Sequence, residues 1–147
     1  MAKEYLKDII EGAGFYIHKN PKADRDKFTY DPTIQIDGYK KEIHNKISDI
    51  LIDYKISHSK KVYDTKRGLS YRIVITSMFN ISQLFEITGT NFKSEKLQIF
   101  NTFLEMRIKK LAVNRKARYG EEEENLYQKL RQINGEVNLC KTQRIEF

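Results

Sequence analysis

A group of side chains in the first half of this chain has the chemistry of base and phosphate recognition: His18, Lys19, Lys22, Arg25, Lys27, Gln35, Lys60, Lys61, Lys66, Arg67 and Arg72. Arginine and glutamine present paired hydrogen-bonding groups that fit a guanine or adenine edge, whereas lysine serves phosphates as a point charge. Each residue taken singly is equally well explained as the solvated face of a sheet. As a set they point to nucleic acid. Other chemistries are poorly supplied. His18, His44 and His58 lack zinc spacing, and the one cysteine, Cys140, leaves a structural zinc short of ligands. There is no phosphate-binding glycine loop and no nucleophile elbow. The tyrosines and phenylalanines fall mostly in phase with core positions.

The elements that must carry these residues follow from hydrophobic period. Lys3 to Glu11 reads as a short helix with Tyr5, Leu6, Ile9 and Ile10 on one stripe, ended by Gly12 and Gly14. Phe15 to Lys19 alternates as a strand, residues 20–27 form a charged turn, and Phe28 to Asp37 alternates again, with Pro32 marking a bend or an edge. Tyr39 to Tyr54 returns to helical spacing. Ser57 to Thr65 and Leu69 to Ser77 make a hairpin around Lys66-Arg67-Gly68. Asn80 reads as the N-cap of a helix closed by Gly89, and Ser94 to about Val113 as the longest helix. A basic patch, Asn114 to Arg118, precedes the acid run Glu121 to Glu124, which opens a last helix ended by Gly135. The order is αββαββα plus C-terminal helices, an α+β arrangement with four strands on one side and helices behind.

Composition agrees. The 147 residues suit one domain; 27 Lys and Arg against 20 Asp and Glu leave a net charge of +7, which favours a polyanionic partner. A lysine-rich solubilising surface is the plainer alternative. No apolar run is long enough for a membrane span and no secretory leader opens the chain. A single cysteine fits a reducing intracellular compartment, cytoplasmic or organellar.

Leu6 to Gly14, LKDIIEGAG, runs directly into the strand GFYIHK. Together with the segments Tyr71 to Ser77, Asn80-Ile81, Leu84 and Lys93 to Leu104, in this order, it resembles the LAGLIDADG homing endonucleases over roughly residues 4 to 112. Leu6, Ile9 and Ile10 match the apolar positions of the motif, Glu11 its first acid, Gly12 a small residue and Gly14 the final glycine. Three positions depart. Lys7 and Asp8 replace small residues where two motif helices pack, and Ala13 replaces the acid that holds the divalent metal in that family.

The resemblance implies a LAGLIDADG-like domain over 1–113, extended by 114–147, that binds a long near-palindromic duplex site as a homodimer. The dimer helix would present Leu6, Lys7, Asp8, Ile10, Glu11 and Gly12. Magnesium or another divalent cation would drive phosphodiester hydrolysis, with Lys93, Asp37 and Gln35 near the scissile phosphate. At the metal position only the Gly14 backbone and the site of Ala13 remain, so binding with little or no cleavage is expected. A non-catalytic regulator or an intron-splicing maturase on the same fold is the alternative to an intron-encoded endonuclease, and an unrelated α+β binding module is the third reading.

Overall fold

A computed structural model describes residues 2–21 and 28–135. Helix α1 (Ala2–Glu11) leads into β1 (Gly14–Pro21) and β2 (Phe28–Gly38). Then come α2 (Lys41–Asp53), β3 (Ser59–Thr65), β4 (Gly68–Thr76), α3 (Met78–Thr88), α4 (Glu95–Val113) and α5 (Glu121–Ile133). The strands form one antiparallel sheet in the order β1-β2-β4-β3, so α2 carries the chain from β2 past β4 to the far edge. The α+β order read from the sequence is the order of the molecule.

Alternation sorts the sheet into two faces. Phe15, Ile17, Tyr30, Ile34, Ile36, Ile73 and Ile75 share one phase and are buried against the helices. Leu6 and Ile10 of α1 are fully buried in the same core, with Leu84 from α3 and Phe100 and Phe103 from α4. Phe15 and Phe100 meet edge to face at 5.1 Å, a favoured arrangement for aromatic rings.

Pro32 does not put β2 at the rim of the sheet, since β2 is interior. The β4 pairing starts only at Thr33, so Pro32 lies just outside it, where the strand is paired on the β1 side alone. The cap of α3 also differs from the sequence reading. Ser77, at φ 78°, is the N-cap and its hydroxyl accepts from the Asn80 N–H. Asn80 instead ties the segment before β3 to the end of β4: its Oδ1 accepts from the Ser57 N–H and its Nδ2 donates to the Thr76 carbonyl.

The C-terminal helix is held by two polar clusters. Arg107 and Glu123, both buried, pair at 2.9 Å, and Lys110 donates to both Glu123 oxygens. The Gly120 N–H donates to Glu123 at 2.8 Å, which caps α5. Arg107 also donates to the Ala117 and Arg118 carbonyls and lies 3.9 Å over the Tyr119 ring, which fixes the loop before α5. Beside this, Lys19 and Tyr30 both reach Glu124 at 2.6 Å, joining α5 to β1 and β2.

Candidate nucleic-acid interface

The second phase of the sheet faces away from the core. Directly opposed rows run His18–Asp31, Tyr16–Thr33–Thr76, Gly14–Gln35–Val74–Ser59 and Asp37–Arg72–Lys61, with Ser70–Tyr63 beyond. Of this phase only Thr33 is buried. The result is a polar surface four strands wide, in which a pair of adjacent strands has the width of the two-stranded ribbon that a major groove admits.

The predicted recognition residues divide by phase. His18, Gln35, Lys61 and Arg72 stand on the open face, and Lys66 and Arg67 are exposed at the β3–β4 turn. That turn is braced by the Thr65 hydroxyl, which donates to the Gly68 carbonyl and accepts from the Arg67 N–H. Lys19 and Lys60 do not join the open face. Both lie in the core phase, where Lys19 bonds Glu124 and Lys60 donates to Asn45 of α2. A one-residue difference in a strand moves a side chain to the other face. Lys22, Arg25 and Lys27 fall outside the described residues.

Charge on the open face is organised rather than merely positive. Asp37 accepts from Arg72 Nε at 2.7 Å and from Gln35 Nε2 at 3.1 Å, and the Tyr63 ring lies 4.8 Å from the guanidinium carbon. The hydrogen bond to Asp37 pushes the Arg72 pKa up. His18 stacks near Tyr16, with ring centres 6.2 Å apart. The ring of Tyr16 folds back over Gly14, where an added Cβ would stand 2.8 Å from it. Tyr16, Tyr63 and the organising role of Asp37 are absent from the sequence reading; the alternation of β1 would have placed Tyr16 on this face, whereas β3 offers none to place Tyr63.

The motif end of α1 meets the same surface. Ala13 is buried, its N–H donating to the Ile10 carbonyl, and Gly14 stands opposite Gln35. Glu11 accepts from the Lys93 N–H at 3.3 Å, so the segment before α4 is tied to the end of α1. Lys93, Gln35 and the Ala13–Gly14 step are thus brought to one region, while Asp37 is engaged with Arg72 further along β2. On α1, Leu6 and Ile10 face the chain's own core, whereas Asp8 is exposed, Lys7 and Glu11 are half-buried, and Gly12 just after the helix is exposed.

The residues at the motif end do not suit a divalent cation. Hard cations take carboxylate and carbonyl oxygens. Ala13 offers a methyl group, the Glu11 carboxylate is bonded to Lys93, and Asp37 is neutralised by Arg72. Among the described residues no three His, Cys, Asp or Glu side chains gather in a metal-binding group.

No protein-family model matches the sequence, and the search of curated proteins returns no match. Solved structures do match, and the fold is that of the LAGLIDADG homing endonucleases. The homing endonuclease I-TnaI superposes with a TM-score of 0.54 at 15% identity, over 89% of this chain and 97% of its own. I-SmaMI, bound to an uncleaved DNA target in the presence of calcium ions, gives 0.58 at 13% identity, over 90% of this chain and 44% of its own. I-LtrWI, bound to target DNA, gives 0.56 at 17% identity, over 91% and 43%. This chain therefore spans less than half of I-SmaMI or I-LtrWI and nearly all of I-TnaI.

Proposed function

We propose that this protein binds a specific double-stranded DNA site through the open face of its sheet, as a homodimer formed through α1, and that it does not cut the DNA efficiently. The observation that carries the reading is the pairing of an uncovered, polar four-stranded face with Ala13 at the tip of α1. Apart from Thr33, the described strand residues of one phase are open to a groove, yet the position that follows the motif helix has no oxygen ligand in its side chain. The DNA-bound state of the similar structures I-SmaMI and I-LtrWI supports duplex DNA as the partner.

Hydrolysis of a phosphodiester at neutral pH relies on a metal that activates water and offsets charge on the leaving oxygen. A divalent cation would have to be held at the Ala13–Gly14 step, and the side chains there do not hold it. What the chain's own residues can do is bind. Arg72 and Gln35 face base edges, Lys61, Lys66 and Arg67 face phosphates, and Lys93 stands beside the motif end.

A homodimer would pack Lys7, Asp8, Glu11 and Gly12 against their copies. Lys7 and Asp8 are neighbours of opposite charge, so each can pair with the other residue across a twofold axis. The half-length match to I-SmaMI and I-LtrWI and the full-length match to I-TnaI support a single-motif arrangement that needs a second copy.

The test is Ala13→Asp with magnesium, assayed on a duplex selected for binding by the unaltered protein. Cutting gained by the variant supports a lapsed endonuclease. Tight binding with no cutting in both proteins supports a DNA-binding regulator or an intron-splicing maturase on this fold, which Ala13 also favours. Absence of binding to any duplex at low salt would falsify both readings.

A further inference from the structure

We infer that Asp37 organises a two-residue base-reading unit, setting Arg72 for guanine and Gln35 for adenine at neighbouring positions of the duplex. The inference rests on the DNA-binding reading above and names the base identities at part of that site. Asp37 and Arg72 are directly opposed on β2 and β4, and Gln35 is one pleat away on the same face. Two residues along a strand span about 6.7 Å, roughly two base-pair rises. The two readers therefore address base pairs within about two steps of each other.

The hydrogen-bond inventory gives each reader its identity. Arginine carries five N–H donors. Asp37 engages the guanidinium side-on, accepting from Nε at 2.7 Å and from one terminal nitrogen at 3.4 Å, so the end-on fork of the two terminal nitrogens is turned away from Asp37. That fork matches the O6 and N7 acceptors of guanine. The ring of Tyr63 lies 4.8 Å from the guanidinium carbon and limits its swing.

A carboxylate only accepts, so the contact at 3.1 Å forces the NH2 end of Gln35 toward Asp37. The amide then keeps one carbonyl acceptor and one N–H donor for a base. That couple matches the N6 donor and N7 acceptor of adenine.

Stability does not explain the arrangement. The Asp37 side chain is 46% exposed and that of Arg72 31%, and exposed ion pairs contribute little to folding. A carboxylate on a DNA-facing surface also repels phosphate. What Asp37 supplies is orientation, fixed before binding, which lowers the ordering cost of two flexible side chains.

The experiment is site selection from a random-sequence duplex pool by the unaltered protein, Asp37→Ala, Arg72→Ala and Arg72→Lys, with thermal melting to confirm folding. The unaltered protein should fix a G·C pair and an A·T pair within about two steps in each half-site. Exchange of that G·C pair should weaken it roughly ten-fold or more. Arg72→Ala should lose the guanine preference alone, and Arg72→Lys should keep affinity but not the preference, because lysine has no fork. Asp37→Ala should relax both positions while binding to unselected duplex holds or strengthens. An unchanged selected site for Asp37→Ala, or an equal loss on all sequences for Arg72→Ala, would overturn this inference and leave the DNA-binding reading standing. Failure of the unaltered protein to bind any duplex would instead reject that reading, and this inference with it.

Discussion

Glu124 shows how one carboxylate can hold two elements together. Burial acts to raise its pKa, but the hydrogen bonds from Lys19 and Tyr30 outweigh this and hold it at about 2. A carboxyl with a lowered folded pKa contributes stability that is present above the unfolded value and is lost as pH falls through the folded one. Stability should therefore decline from about pH 4.5 toward pH 2, and Glu124→Gln should flatten that decline in urea titrations taken across this range. At the alkaline end the sign reverses. Burial, then the bond to Glu124, pushes Tyr30 up to about 12, so this contribution is present below pH 10 and fades as pH rises toward 12. None of this was legible in the sequence, where Lys19 reads as one of a series of strand cations and Glu124 as one of four acids in a helix's first turn. Charge type was visible, but the partner was set by packing between residues 105 positions apart. Ala13 is the opposite case: its consequence follows from side-chain chemistry alone, and the motif spacing was enough to find it.

At the level of elements, the period of the hydrophobic residues was informative because each strand buries one phase and each helix one stripe. The strands and helices consequently stand in the expected order, with shifts at their ends such as the move of the α3 cap from Asn80 to Ser77. Face assignment was harder. Lys60 and Lys61 are adjacent and chemically identical, yet only Lys61 shares the open face, because β3 is exposed along its whole length and gives no alternation to read. The acid run was likewise read as a dipole effect, whereas Glu123 turns inward to Arg107. That pair predicts a large effect. Arg107 and Glu123 are 2% and 0% exposed in their side chains, so Arg107→Met would remove one of the two cations that Glu123 bonds, leaving it Lys110, and cost about 1.5–3 kcal/mol. Arg107→Met with Glu123→Leu should cost less than the sum of the two single changes, since no buried charge remains and Lys110 keeps Glu122, although the Gly120 N–H loses its acceptor. Denaturant midpoints of the single and double variants check this.

For the whole molecule, the decisive surfaces are the outer side of α1 and the open face of the sheet. Gly12 is exposed and a Cβ there would meet only the Ile9 carbonyl, at 3.9 Å, so Gly12→Arg should be tolerated within one chain. If two copies pack through α1, the same substitution separates them. Sedimentation should show a species of twice the chain mass for the unaltered protein and of the single mass for the variant, with melting temperature little changed. A dimer that survives Gly12→Arg would move the interface elsewhere. The measurement closest to the central claim is the salt dependence of binding to a selected duplex. With a net charge of +7 and a cationic open face engaged in each copy, affinity should fall by roughly 10³-fold or more between about 50 and 200 mM salt. Binding that is absent at 50 mM salt, or that is insensitive to salt over that range, would contradict the account.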